Sequence, residues 1–380
     1  SSVVGRDDVY GLVPLTRRRT VLDLFAAHVS SQSSPEQGLW RVAWFNLASI
    51  PEIPLVSAGS EIPNFLTATT TDGEVCLAVV EDDPLTSGTQ YTQLRCTSDN
   101  SAFIGNGVRA GDICRLLYAD DGFGNEVYQE FVVDDVQAED QLRLVSGPST
   151  AISVAAKIEI WRTLTAAEEA TQLARHAGSF GDRRIRAVWP DVIESSGTLQ
   201  EGYHLCAALA GLVSGVNPHQ GLTNVEIAGF SNVDRTTKRF GRAQLDTLSG
   251  GGVWVVTQEP TTGQVYTRHA VTTGDYDDLN AREEMVTRNV DSISYRFKDA
   301  LAPYIGVTNV TPRVLDALSV AIADVIAELQ AVATPLLGGQ LITAEVLELR
   351  QHLTLLDHVV VTISLTIPYA LNNIQLRLVV

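Results

Sequence analysis

The apolar residues of this chain fall into two textures. Towards both ends, continuous apolar runs alternate with runs at helical spacing; between them lie short strand-like runs broken by turn residues. Val9–Val13 reads as a short strand. A helix follows, with Thr20 as its N-cap and Val21, Leu22, Leu24, Phe25 and Val29 on its apolar face. Leu39–Phe45 (LWRVAWF) reads as a buried strand. Past Pro51 and Pro54 the texture changes. Val75–Val80, Tyr91–Cys96, Asp112–Tyr118, Val127–Val133, Leu142–Val145 and Lys157–Trp161 are short strand candidates separated by turn sequences such as SDN, DDGFGN and SGPS. Regular short strands with turn signals predict a small all-β barrel or sandwich.

Helical texture returns at Thr165-Ala-Ala-Glu168, a capping-box pattern. Ile185–Trp189 predicts a strand, Tyr203–Val213 and Gln244–Leu248 helices, and Val253–Thr257 and Val265–Val271 further strands. Asp277–Leu301 repeats Met285, Ile293, Phe297 and Leu301 near the helical period, and Pro312–Val332 starts after a Thr311 cap with proline in its first turn. The chain finishes in two alternating runs, Val359–Ile367 and Ile374–Val380, joined by PYALNN. The expected fold class is therefore α/β (α+β). Its core is built from both ends of the chain, residues 1–55 and 165–356, with an all-β barrel or sandwich inserted at 56–164 and a β arm at 357–380.

Charge sharpens this division. The formal net charge is -18, and lysine is scarce: Lys157, Lys238 and Lys298 are all there is. Residues 61–165 hold 17 Asp and Glu against 6 Lys and Arg, so that segment carries -11 of the total and has to keep its acids in water. Nucleic-acid binding is disfavoured, because neutralising phosphates needs clustered Lys or Arg. The compact basic runs, Arg17-Arg18-Arg19 and Arg183-Arg184-Arg186, read as local ion-pairing clusters. No run of 18 apolar residues exists to span a bilayer. The start, SSVVGRDDVY, has neither the charged nor the apolar region of a signal peptide, and it lacks an initiator Met. Cys76, Cys96, Cys114 and Cys206 form no CxxC pair; the first three fall within a forty-residue window, which permits a disulfide, but reduced thiols are favoured in a protein made in cytoplasm.

The search for chemistry is short. No Gly-Lys dipeptide occurs, so a P-loop is excluded, and neither HExxH nor GxSxG is present. Gly105-Asn-Gly107-Val-Arg-Ala-Gly111 is one residue too long for a dinucleotide fingerprint and reads as a turn between strands. Gly211-Leu-Val-Ser214-Gly215 only echoes a nucleophile elbow. His204, Cys206 and His219 suggest zinc, yet positions two apart on a helix face different ways. Asp275, Asp277 and Asp278 lack the glycine and glutamate of a calcium loop and suit a helix N-terminus instead. His358 follows Asp357, but no nucleophile accompanies the pair. An enzymatic reading would rest on His269, Asp275 and Glu283. No cofactor and no metal are expected.

In the terminal arm, Val359, Val361, Ile363 and Leu365 share one face of a strand, and Ile374, Leu376 and Leu378 share one face of the next. By pattern, these strands either close their own domain or pair with the sheet edge of another subunit; the periodicity leaves both open.

Several runs, taken in order, resemble one family. They are Ala208-Leu-Ala-Gly-Leu-Val-Ser-Gly-Val-Asn-Pro218, Gly221-Leu-Thr-Asn224, Arg268-His-Ala-Val-Thr-Thr273, Glu283-Glu-Met-Val-Thr-Arg-Asn-Val-Asp291, Tyr304-Ile-Gly306, Asn309-Val-Thr-Pro312 and Gly338-Gly339-Gln-Leu. Their order and spacing resemble the contractile tail sheath proteins of bacteriophages over roughly residues 165–380. The resemblance implies a virion protein, assembled in the host cytoplasm as hexameric rings stacked helically around a tail tube. Its partners would be further copies of itself, the tube protein, and baseplate and tail terminator proteins. It also implies that terminal arms of neighbouring subunits complete a shared sheet, that contraction drives the tube through the host envelope for genome ejection, and that no nucleotide is consumed. It makes the terminal strands an inter-subunit arm and the acidic module an outer-surface domain. Headless tail-like particles and injection systems carry similar sheaths. An α/β hydrolytic enzyme is the alternative from a different class.

Overall fold

A computed structural model describes residues 9–34, 37–56, 77–81, 91–96, 102–120, 126–149, 152–233, 240–331 and 337–372. The chain divides into two compact units, Ser49–Gln172 and a body formed by the rest.

The body opens with β1 (Gly11–Leu12), α1 (Arg19–Gln32) and β2 (Val42–Asn46). Helix α1 starts at Arg19 with Arg18 at the N-cap and no side-chain cap, so Thr20 lies inside the first turn and not at its cap. Leu22 and Val29 are fully buried beside Leu12, Ala43 and Phe45.

Seven strands form the second unit: β3 (Glu52–Val56), β4 (Leu77–Glu81), β5 (Gln93–Cys96), β6 (Ile113–Asp120), β7 (Glu126–Ala138), β8 (Gln141–Leu144) and β9 (Ile152–Thr163). They pair in the order β3-β9-β4-β5-β8-β7-β6, and β6 pairs again with β9, so the last six strands in that order form a closed ring. Ring closure removes the open edges that invite aggregation. Inside lie Val80, Leu94, Phe103, Cys114, Leu116, Leu142, Ile158 and Ile160, all fully buried. The unit's arginines are spent on its own acids: Arg162 grips Asp112 through two contacts of 2.8 Å, Arg115 bridges Glu52 and Glu130, and Arg143 meets Asp134. The Gly105–Gly111 stretch is a turn, with the amides of Ile104 and Gly105 donating to Glu139. Cys114 is a free, buried thiol, pushed up to about 12 by desolvation. Cys96 is disulfide-bonded, which corrects the expectation of reduced thiols at this position. It sits 6% exposed at the end of β5.

After α2 (Ala166–Gly178), whose capping box is formed as expected between Thr165 and Glu168, the body resumes with β10 (Ile185–Trp189). The strands β11 (Val192–Ser195) and β12 (Thr198–Glu201) are followed by α3 (Tyr203–Gly215), β13 (Asn232–Val233), α4 (Arg242–Gly250), β14 (Val253–Gln258) and β15 (Val265–His269). The main sheet runs β1-β2-β10-β14-β15; its first four strands are parallel and β15 is antiparallel. Both faces are covered. One packs against α1, and the other takes Leu205, Cys206, Leu209 and Val213 of α3 against Val42, Trp44, Val188 and Trp254. Strands covered on both faces need no polar alternation, which is why LWRVAWF and IRAVW are apolar almost throughout. A Cβ at Gly11 would lie 2.8 Å from the Trp44 ring, so β1 can approach β2 only with glycine there.

Helices α5 (Leu279–Arg282), α6 (Glu284–Leu301) and α7 (Pro312–Gln330) follow. The single helix expected over Asp277–Leu301 is broken at Glu283, whose backbone is extended. Tertiary pairing is the cause: Val271 and Glu283 form an antiparallel bridge, and the amide of Thr272 donates to the carbonyl of Arg282 at 2.8 Å. Asp278 caps α5 and Thr311 caps α7 through their side chains.

Helix α6 is tied to the body by buried charge. Arg184, the residue just before β10, holds both Asp291 oxygens at 2.8 Å, and the Tyr10 hydroxyl donates to the same carboxylate. Burial, with Asp291 alongside, drives the Tyr10 phenol well above its ordinary range. Arg186 lies over Trp44 and 3.4 Å from Glu284, both side chains fully buried, and Arg288 also reaches Glu284. The Arg184–Arg186 run is thus an internal ion-pairing cluster. Arg17 and Arg19 are likewise spent locally, on Glu201 and Asp23.

The described chain ends with β16 (Thr343–Gln351) and β17 (Val359–Thr366), an antiparallel pair standing on α6 and α7.

Candidate functional site

Two places in the body gather the residues singled out by sequence: the hairpin, and a polar cleft beside β15. In the hairpin, Val359 pairs with Gln351, Val361 with Leu349, Ile363 with Val346 and Leu365 with Ala344. The observed partner of Val359–Thr366 is therefore β16, a strand the sequence pattern did not predict. Ile374, Leu376 and Leu378 lie outside the described residues. A bulge between Val346 and Glu348 leaves Leu347 out of the ladder, 59% exposed.

Strand β17 alternates as its sequence implies. Val361, Ile363 and Leu365 are half-buried, whereas Thr362, Ser364 and Thr366 are exposed. The apolar face looks onto α6 and leaves a groove of ≈ 530 Å³ between β17, Ile293, Phe297 and Leu301 of α6, and Trp40. Lys298 donates to the Gly38 carbonyl and Tyr295 to the Trp40 carbonyl, each at 3.1 Å, which fixes the far wall of the groove. Among the described residues no strand pairs with the outer edge of β17. Such an edge presents unpaired amides and carbonyls to any strand of matching pattern.

The cleft, ≈ 850 Å³, is lined by Thr223, Arg268, His269, Arg282, Glu283, Tyr369 and Asn372 among others. The break between α5 and α6 places the Glu283 carboxylate 3.0 Å from His269 Nε2, with Arg282 at 3.2 Å. Desolvation opposes ionisation of Glu283; the hydrogen bond and charge of His269, with Asn372 and Arg282, outweigh it and hold the carboxyl below its ordinary value. Asn372 completes the cluster. Its amide nitrogen donates to Glu283 at 3.0 Å and lies 3.2 Å from His269 Nε2, and its oxygen accepts from Thr223 Oγ1 at 2.7 Å.

The structure thus joins His269 and Glu283 but not Asp275, which is exposed and turned to the Asp277 amide. The open coordination of the His–Glu pair is taken by the chain's own Asn372. Sequence reasoning missed Asn372 and Thr223; the only signal was the position of Thr223 inside the Gly221–Asn224 run. No set of His, Cys, Asp and Glu that could hold a metal occurs among the described residues. Cys206 is buried in the core, its thiol driven upward by desolvation, and His204 is exposed against Tyr203. Ser214 donates to the Ala210 carbonyl within α3, as a helical serine does. His358 meets Asp357 at 2.8 Å on the exposed hairpin turn. No helix among the described residues is long and apolar enough to cross a membrane.

No protein-family model matches the sequence, and no curated protein does. Among solved structures, the chain is similar to phage-type tail sheath proteins. The helical sheath of the anti-feeding prophage in its contracted state is 17% identical with a TM-score of 0.43, over 52% of this chain and 56% of that one. A chain of the anti-feeding prophage baseplate is 16% identical with a TM-score of 0.41, over 55% and 64%. The sheath tail protein of Desulfitobacterium hafniense is 14% identical with a TM-score of 0.34, over 67% and 71%. The chain thus spans less than two thirds of the two anti-feeding prophage proteins.

Proposed function

We propose that this chain is the structural subunit of a contractile tail sheath, on a phage or on a headless tail-like particle. It assembles as stacked hexameric rings around a tail tube, touches baseplate and terminator proteins at the ends, and works by rearranging its packing without turning over a substrate. The observation that carries the reading is the combination at the hairpin. β17 has an edge that no strand pairs among the described residues, an apolar face over α6 and a groove beside it, in a chain whose order of sequence runs resembles sheath proteins. The sequence of residues 374–380 alternates in the same sense, with Ile374, Leu376 and Leu378 on one face. A strand of that pattern added to β17 would place its apolar side chains over the groove, with main-chain hydrogen bonds supplying affinity.

The His269–Glu283 pair gives the enzymatic alternative its best foothold, and the chain itself occupies that pair through Asn372. The ring of strands at 49–172 suits an outer position, because its arginines are already paired and its surplus acids need water.

Deleting Leu371–Val380 tests the reading. The truncated subunit is expected to stay folded and soluble by circular dichroism and gel filtration, and to form no tubes under negative stain where the full chain does. Tubes from the truncated subunit would refute it.

A further inference from the structure

The turn that joins β16 to β17, residues 352–358, is organised around one titratable ring. His352 is half-buried, and its Nδ1 lies 3.2 Å from the amide nitrogen of Thr354 and 3.0 Å from that of Leu355. A backbone amide only donates, so Nδ1 accepts from both and carries no proton. The hydrogen of the neutral ring is therefore on Nε2. The Thr354 hydroxyl stands 3.3 Å from the same Nδ1. A ring nitrogen thus does for this turn what a side-chain oxygen does in an Asx-turn.

The backbone closes around that acceptor. The His352 amide donates to the His358 carbonyl at 2.8 Å, and the His358 amide donates to the Leu355 carbonyl at 2.9 Å. The Gln351 side chain donates to the Leu356 carbonyl. What this frame carries is apolar, since Leu353, Leu355 and Leu356 are all exposed. With so little of their surface buried, their arrangement is set by the backbone beneath them.

The charged and titratable groups beside the ring are Asp357 and His358 on the turn and Glu348 and Arg350 near the end of β16. They are engaged with one another. His358 Nδ1 lies 2.8 Å from Asp357 Oδ1, and this contact holds the Asp357 carboxyl below its ordinary value. Arg350 pairs with Glu348 and donates to the Gln351 carbonyl at 3.2 Å.

We propose that His352 makes the hairpin tip a pH-sensitive turn, fixed while the ring is neutral and loosened when a second proton enters at Nδ1. That proton turns the acceptor into a donor and releases the amides of Thr354 and Leu355. A free imidazole takes it up near pH 6.5. The two hydrogen bonds exist only with the neutral ring, so they are present above the titration and lost as the pH falls through it. A positive His352 also stands opposite His358 across the hairpin, where like charges repel. Both effects act in the same direction. The inference rests on the turn alone and holds whatever the chain assembles into.

The test is nitrogen-15 NMR of the unassembled full-length subunit, labelled at His and Leu, between about pH 7.5 and about pH 5. It follows the His352 ring and the exchange of the Leu355 amide, expressed as protection relative to an unprotected amide at the same pH. His352→Asn keeps an acceptor oxygen near the place of Nδ1 and cannot titrate, whereas His352→Ala has no acceptor at any pH. In the unmodified subunit the Leu355 amide is expected to be protected about tenfold at the upper pH and to lose that protection with the midpoint of the His352 ring. Protection is expected to persist throughout in His352→Asn and to be absent throughout in His352→Ala. Protection that survives protonation of the ring, or that remains in His352→Ala, overturns the proposal. An equal acid loss in His352→Asn overturns it too, because the sensitive group would then lie elsewhere, as does a ring that stays neutral down to about pH 5.

Discussion

The main sheet and the terminal hairpin are both strand pairings on the same body, and they are built to opposite ends. In β2 and β10 every residue is buried, and the two faces are sealed by helices. In β17 burial alternates with exposure, one edge pairs with no strand among the described residues, and Leu353, Leu355 and Leu356 at the hairpin turn stand 79%, 50% and 67% exposed. Burying a Val or Leu side chain fully contributes about 1.5–3 kcal/mol; the sheet collects this on both sides, the hairpin on one. A two-stranded hairpin is marginal by itself and here depends on α6 and α7 for support. On the proposed sheath reading the difference corresponds to two roles, a body that keeps its shape and a strand pair to be completed by a neighbour.

That contrast can be broken from the body side. Asp291→Ala leaves Arg184 buried without its carboxylate and the Tyr10 hydroxyl without its acceptor. Uncovering a buried charge in this way costs about 3–5 kcal/mol. Urea unfolding of the isolated subunit is expected to show that loss. A cost under about 1 kcal/mol would mean that α6 is not anchored by this network.

A smaller effect sharpens the same point through pH. His176 of α2 is 6% exposed, stacked on Phe180, and lowered from 6.5 to about 4 by desolvation, with Arg19 adding to the shift. The unfolded chain takes up this proton first, so stability is complete above about pH 6.5 and is lost as the pH falls toward 4, by on the order of 2–3 kcal/mol. Comparing the chain with its His176→Leu variant across that window isolates the contribution. The gap between the two is expected to move against the unmodified chain as pH falls, and a constant gap would contradict the burial argument.

The two regions also differed in how far the sequence disclosed them. Leu39–Phe45 and Ile185–Trp189 were legible because strands covered on both faces leave an unbroken apolar run. The alternation of Val361, Ile363 and Leu365 was equally plain. Strand β16 was not, because TAEVLELRQ interrupts its apolar residues with Glu345, Glu348 and Arg350, the last two paired with each other, and reads neither as strand nor as helix. The break at Glu283 was hidden for another reason. Residues 279–301 favour a continuous helix locally, and only the bridge to Val271, twelve positions earlier, interrupts it. The pairing of His269 with Glu283 follows from that break, and Asn372 from a strap whose course no local pattern encodes. Chemistry-bearing residue types were visible; their meeting was not.

The most direct test of the central claim is a helical reconstruction of assembled particles at a resolution that traces strands. The account predicts a third strand along the outer edge of β17, formed by residues 374–380 of a neighbouring copy, with Ile374, Leu376 and Leu378 over the groove between β17 and α6. A bare β17 edge, or that edge filled by the same chain's own terminal segment, would contradict it.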